Sequence, residues 1–339
     1  ENTAQQMAET LHFILSQDQL HPAFNALDLQ LVSQNSGATT EDGKDFTLNI
    51  ANSLWGQHDY AFLPEFLDLL AANYGAGLRL VDFVSAPDPS RIAINDWVSE
   101  QTEDKIKDLI PEGAITDLTR LVLANAIYFY ADWLHPFNAN STHDAAFHLP
   151  DGSEVTVPMM SMSDPANLPY ASGTGYQAVE LPYLGGESAM TIIVPDSGTF
   201  ADFESALSAD LINEIISSLE QKSVDLRLPK FSYESDFSLA QTLAEMGMPD
   251  AISPGVADFS GMDGTKFLYI SDVFHKAFVA VDEKGTEAAA ATAVIVGSTS
   301  ISMVDVRLTI DRPFIFLIRD IDTGTILFMG RVLNPAGSG

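Results

Sequence analysis

The sequence predicts an α+β fold, with helices set among mostly antiparallel strands. Three observations lead there. Apolar residues recur at helical spacing in several stretches. Short strand-like runs crowd residues 146 to 195 between Gly, Pro and Asp turns, the pattern of an antiparallel sheet. The chain then closes on two more apolar strands, so neither element type dominates and strict βαβ alternation is absent.

Taken in order, Ala4, Met7, Ala8, Leu11, Ile14 and Leu15 share one helical face, with Asn2 or Thr3 placed to cap it. Residues 45 to 55 read as a buried strand, 62 to 74 as a helix stopped by Gly75, and 78 to 83 as strand again. Ser90 to Leu109 has an amphipathic rhythm that Pro111 ends. Leu121 to Trp133 is a long β-branched and aromatic run, too apolar for an edge strand. Beyond the short strands come a helix over 202 to 220, a strand over 224 to 233 and a helix over 238 to 247.

With 339 residues, 46% of them hydrophobic, and no linker or internal repeat, the chain reads as one globular domain over 1–339. No apolar run is long enough to cross a bilayer as a helix. A formal net charge of −31 argues against nucleic acid and anionic membrane as partners, since both reward basic patches. The absence of cysteine removes disulfides, thiol nucleophiles and cysteine metal sites.

Enzyme signatures are missing: no H-E-x-x-H, no G-x-S-x-G elbow, no P-loop and no dinucleotide glycine fingerprint. The seven histidines show no metal-ligand spacing. Asp320 and Asp322 beside Gly324 read as a tight turn rather than an oxygen-ligand loop. Asn140-Ser141-Thr142 forms a glycosylation sequon. No cofactor and no metal is expected.

The most informative stretch is Gly285-Thr286-Glu287-Ala288-Ala289-Ala290-Ala291-Thr292-Ala293-Val294-Ile295-Val296. Its alanines suit a helix. Yet Thr286, Ala288, Ala290, Thr292, Val294 and Val296 also form an alternate row of small or apolar side chains, as a strand buried between neighbours requires. No charge occurs from Ala288 through Val304, although an exposed loop normally carries some. Burying that row at ~0.5–2 kcal/mol per residue contributes on the order of 5–10 kcal/mol, comparable with a domain's whole stability.

With its flanks, the stretch resembles a known family. Phe274-His275-Lys276-Ala277 and Val281-Asp282-Glu283-Lys284-Gly285-Thr286-Glu287-Ala288-Ala289 resemble the hinge of the serpins, the serine protease inhibitors. Leu308-Thr309-Ile310-Asp311-Arg312-Pro313-Phe314-Ile315-Phe316-Leu317-Ile318 is similar to the family's C-terminal signature, and Phe328-Met329-Gly330-Arg331-Val332 with Asn334-Pro335 to its closing strand. Upstream, Thr119 through Phe129 and Ile94-Asn95-Asp96-Trp97-Val98 continue the likeness in family order.

The resemblance implies three β-sheets, about eight or nine helices and an exposed reactive-centre loop. It also implies an N-terminal helix-strand-helix segment that this chain is expected to lack. By the family's count from Gly285, the reactive bond joins Thr299 to Ser300, with Ser298, Ile301 and Met303 as alternatives if the register slips. The hinge comprises Glu283, Gly285, Thr286, Glu287, Ala288, Ala289, Ala290, Ala291 and Thr292. Asn125 and His275 match the shutter pair; Trp133, Lys230 and Glu283 match the breach.

The activity implied is suicide inhibition: a serine protease cleaves the loop, forms an acyl-enzyme and is trapped covalently as the hinge inserts into the large sheet. No Lys or Arg lies between Lys284 and Arg307, which disfavours trypsin-like targets. Elastase-like or subtilisin-like proteases fit the small and branched residues better, and Met303 leaves a chymotrypsin-like case. His21 to Leu31, matching the helix that binds heparin in some serpins, contains no Lys or Arg, so no heparin is expected. The chain is expected to act as a monomer in an extracellular or periplasmic setting. Two other readings remain open here: a non-inhibitory serpin serving as carrier, storage protein or chaperone, and a hydrolase with an unrecognised Ser/His/Asp set.

Overall fold

A computed structural model describes residues 2–33, 47–74, 77–286 and 304–337. It is α+β, and its elements follow the sequence reading with instructive shifts at their ends. Helices α1 (Asn2–Thr10) and α2 (Gln17–Ser33) precede strand β1 (Thr47–Gln57), helix α3 (Pro64–Tyr74) and the short β2 (Arg79–Val81). Helix α4 (Pro87–Gln101) opens with prolines in its first turn and stops where the Thr102 hydroxyl donates back to Val98 O at 2.8 Å. Residues 102–110, expected to prolong the helix, instead turn back under it, because the buried Asn95 amide holds Ile110 at both its N–H (2.8 Å) and its carbonyl (3.0 Å).

Strand β3 (Leu121–Asp132) is followed by β4 (His143–His148), β5 (Glu154–Ser161), β6 (Ala166–Gly173), β7 (Tyr176–Pro182) and β8 (Ser188–Pro195). The expected single helix over 202 to 220 is two, α5 (Phe200–Ala206) and α6 (Ala209–Ser217), because the Ser208 side chain caps the second by accepting from Leu211 N. Pro229 likewise divides β9 (Glu220–Pro229) from β10 (Phe231–Ser238). Helices α7 (Ala240–Met246) and α8 (Ser260–Asp263) lead to β11 (Val273–Val281), β12 (Gly285–Thr286), β13 (Val306–Thr309), β14 (Phe314–Asp320) and β15 (Ile326–Val332).

The chain divides into two compact units. The first draws on Glu1–Ser33, Leu48–Tyr128 and Glu234–Phe278. In it β11 runs parallel to β3, from Val273 opposite Leu123 to Phe278 opposite Tyr128, and β1 pairs in parallel with β2. Ile94 and Val98 of α4, with Ile106, Leu109 and Ile110, pack into one core with Val122, Ala124 and Ala126 of β3 and Phe274 of β11.

The second unit includes Phe129–Tyr233 and Val279–Gly339 and holds a nine-stranded sheet in the order β15-β14-β8-β7-β6-β9-β5-β4 with β13 beside β9. Strand β9 joins two sets of strands, pairing β6 through its first half and β5 and β13 through its second. Helix α6 buries Ile212 and Ile215 against Ala178, Ile193 and Leu317. Within this sheet Arg319 forks onto Glu180 at 2.8 and 3.0 Å, and the Thr191 hydroxyl donates to the same carboxylate at 2.7 Å, so the buried carboxylate accepts three hydrogen bonds.

Candidate functional site

In the second unit, β11 ends at Val281 and the chain reverses through Asp282-Glu283-Lys284-Gly285. Asp282 directs the turn: its N–H donates to Gly285 O at 3.0 Å, and its Oδ1 accepts from Lys284 N at 2.8 Å and Gly285 N at 3.3 Å. Burial pushes the Asp282 carboxyl above its ordinary value, against the pull of those two N–H groups.

The returning residues form β12, which lies between its neighbours. Thr286 pairs antiparallel with Val281 of β11, and Gly285 and Thr286 pair antiparallel with Asp132 and Ala131 of β3. Only glycine fits at 285, since a Cβ there would lie 2.0 Å from Ala131 O. Thr286 is wholly buried and its hydroxyl lies 2.7 Å from the Tyr183 hydroxyl. The resemblance implies a hinge loop that projects; its residues Gly285 and Thr286 lie within the sheet.

Aromatic and polar contacts brace the turn. Trp133 stacks on Tyr183 at 4.6 Å and 12°, donates from Nε1 to Asp282 O at 3.0 Å, and donates from its backbone to Lys284 O at 2.6 Å. Phe137 N donates to Glu283 O at 2.8 Å. The Glu283 carboxylate accepts from Lys230 Nζ at 2.7 Å and from the Thr142 hydroxyl at 2.7 Å. Burial works against its ionisation, but the Lys230 and Thr142 hydrogen bonds outweigh that and hold its pKa below the ordinary value. Complete burial raises the Tyr183 pKa, so its hydroxyl stays protonated.

In the first unit, Asn125 of β3 and His275 of β11 face each other in register, with His275 Nδ1 donating to Asn125 Oδ1 at 2.5 Å. The Asn125 side-chain amide N–H in turn donates to Asn52 Oδ1 on β1. Phe237 of β10 stacks on the His275 ring at 6.2 Å and 15°. Burial lowers the His275 pKa and favours the neutral ring.

The structure thus brings Asn125 to His275, and Trp133, Lys230 and Glu283 to the turn before Gly285 and Thr286. The remaining hinge residues Glu287, Ala288, Ala289, Ala290, Ala291 and Thr292, the Thr299-Ser300 bond, and Ser298, Ile301 and Met303 lie outside the described residues. Sequence reasoning missed Tyr183, Thr142, Asn52 and Phe237. Tyr183 has no signal beyond an aromatic after Pro182, and Thr142 reads as part of a sequon although its hydroxyl serves Glu283. Asp320 forms a turn, accepting at Oδ1 from Thr323 N at 2.7 Å with Gly324 at φ 72°. Among the described residues no group of three or more His, Asp or Glu side chains could hold a metal ion, and no helix is long and apolar enough to cross a membrane.

Gly285 and Thr286, at the end of a braced turn, form a two-residue strand paired with β11 on one side and β3 on the other. Comparison with known proteins names the class. The family model for Serpin (serine protease inhibitor) matches residues 1–335, and the chain belongs to the serpin family. It is 40% identical over 339 residues to the leukocyte elastase inhibitor of Xenopus tropicalis, covering 98% of this chain and 87% of that protein. The human leukocyte elastase inhibitor is 37% identical, with the same 98% and 87% coverage. An uncharacterized serpin-like protein of Thermococcus kodakarensis is 40% identical over 98% of this chain and 75% of its own length. The chain is therefore classed with serine protease inhibitors and not with enzymes, which removes the hydrolase reading.

These relatives correct one expectation. An extracellular or periplasmic location does not stand, because the leukocyte elastase inhibitors are intracellular proteins. Neither a cysteine-free composition nor a family hinge encodes a compartment.

Proposed function

We propose that this serpin is a suicide inhibitor of elastase-like or subtilisin-like serine proteases, acting as a monomer and as one functional domain over 1–339. The observation that carries the reading is the placement of Gly285 and Thr286 as a two-residue strand paired on both sides. Small or apolar side chains continue the row at Ala288, Ala290, Thr292, Val294 and Val296, so the strand can lengthen without burying an unpaired charge. Strand β3, 12 residues long, offers an edge on the order of 40 Å, which the loop from Thr286 toward Thr299 matches in reach.

In the proposed cycle the protease serine hydroxyl adds to the Thr299 carbonyl carbon. The Thr299–Ser300 C–N bond breaks, Ser300 leaves as the amine with the transferred proton, and an ester joins Thr299 to the protease. Insertion of the freed segment beside β3 carries the protease away and distorts its catalytic site before water can hydrolyse the ester. The movement is a strand addition, in which new main-chain hydrogen bonds and buried alternate side chains supply the driving force.

Incubation with pancreatic elastase and with subtilisin, followed by denaturing electrophoresis and mass spectrometry, tests this. The expected result is a covalent adduct with the acyl link at Thr299 and a cleaved protein of much higher thermal stability. Clean proteolysis without adduct or stabilisation would leave a serpin of the carrier or chaperone kind.

A further inference from the structure

Arg79 lies between two tryptophans in the first unit. Its guanidinium carbon is 4.6 Å from the Trp97 ring centroid and 5.5 Å from that of Trp55, and the two indoles meet edge to face at 5.9 Å and 73°. Trp55 is on β1, Arg79 opposite it on β2, and Trp97 on α4. Arg79 Nε is buried with no hydrogen-bond partner, and no carboxylate among the described residues pairs with the guanidinium. The two indole faces therefore hold this cation, in the geometry of a cation–π clamp.

The clamp's position gives it a consequence. Helix α4 and the segment to Ile110 cover the line along which β3 and β11 pair, since Ile94, Val98 and Ile110 share a core with Ala124 and with Phe274 opposite it. On the β11 side this cover is tied by Lys276, whose buried Nζ donates to Lys107 O at 3.0 Å and pairs with Glu234 at 2.5 Å. On the β3 side it is tied through Trp97 to Arg79 and Trp55, because β1 and β2 follow β3 in the sheet. Inserting a strand moves the two sides apart by about 4.8 Å, the spacing of one strand. A cover tied to both sides must then release one tie.

We infer that Arg79 is a positioning residue for strand insertion: its clamp on Trp97 fastens α4 across the β3–β11 pairing and sets how fast that pairing opens. The Lys276 ammonium is buried and charge-assisted, whereas Arg79 Nε is buried with no hydrogen-bond partner among the described residues, so the Arg79 side yields first. This rests on the insertion mechanism proposed above.

The test compares wild type with Arg79→Ala and Arg79→Lys after mixing with pancreatic elastase, following insertion by stopped-flow tryptophan fluorescence and counting inhibitor consumed per protease trapped. Arg79→Ala is expected to insert on the order of tenfold faster and to consume fewer inhibitors per trapped protease. The Lys variant, which keeps the cation, should lie between, with initial loop cleavage unchanged in all three. An insertion rate equal to or below wild type in Arg79→Ala overturns the inference, and the Lys variant decides by the same criterion if the Ala variant does not fold. If cleaved wild type gains no thermal stability, the insertion mechanism itself fails and the clamp's role falls with it; a gain with unchanged variant rates removes the clamp alone.

Discussion

From Leu123 to Tyr128, β3 pairs directly with β11, whereas at Ala131 and Asp132 it pairs with β12 instead. Besides its backbone ladder, the first region is bridged by a side-chain hydrogen bond from His275 to Asn125, extended to Asn52 and backed by Phe237. The second already holds a guest strand, and its fastenings are a charge pair, an aromatic stack and a buried hydroxyl contact. Where glycine removes a Cβ and a buried hydroxyl meets Thr286, β12 lies between β11 and β3; where Asn125 and His275 bridge directly, β3 and β11 pair with each other. In the proposed insertion, opening the closed region is the step that lengthens β12 beyond Thr286.

The sharpest way to break the comparison is to make the guest position inhospitable. Thr286→Arg would bury an unpaired guanidinium beside Tyr183 and is expected to cost about 3–5 kcal/mol in that arrangement. The side chain should leave the sheet, and the protein should be cleaved by elastase without forming adduct. Adduct formation at the wild-type level would show that β12 is not the start of the inserted strand.

Removing the charged fastening comes next. Glu283→Ala leaves Lys230 and the Thr142 hydroxyl without their acceptor, and a loss of about 1–3 kcal/mol in urea-unfolding stability is expected. Hydrogen exchange should rise at Gly285 and Thr286 while His275 and Asn125 keep their protection; loss at both places would mean the regions are not independent.

Acid should separate the two regions by pH. The folded His275 pKa lies below the ordinary 6.5, so the unfolded chain binds the proton more readily. Its contribution is full above about pH 6.5 and is lost as pH falls through the lower folded value. Glu283, depressed below 4.5, keeps its contribution above that pH and loses it only on further acidification. Exchange protection along β3 and β11 is therefore expected to fall first around Asn125 and later around Thr286, and His275→Asn should abolish the earlier phase. Simultaneous loss would contradict the assignment.

The smallest effect tunes the guest itself. Tyr183→Phe keeps the stack on Trp133 but removes the hydroxyl facing Thr286, for an expected loss of about 1 kcal/mol. A thermal scan should show the modest drop, and Thr286→Val combined with it should recover part of the loss, since neither side then leaves a buried hydroxyl unmatched.

Much of this is open to reading from residues alone. The Phe274-His275-Lys276 run and the motifs in family order around it point to the family, and the apolar stretch ending at Trp133 marks out β3. Element ends are less accessible: Asn95 turning 102–110 back, and Ser208 starting a second helix, depend on single side chains whose partners are chosen in three dimensions. The expected location fails because composition carries no address.

What the sequence by itself determined is the family and an alternate row of small or apolar side chains after Gly285, since side-chain size and alternation are local properties. What only the tertiary structure decided is that Gly285 and Thr286 lie between β11 and β3, and which distant groups hold them there. Tyr183, Thr142 and Lys230 are brought to the turn by other strands and loops, and a hydrogen bond of 2.7 Å between residues 103 apart has no signature in local pattern.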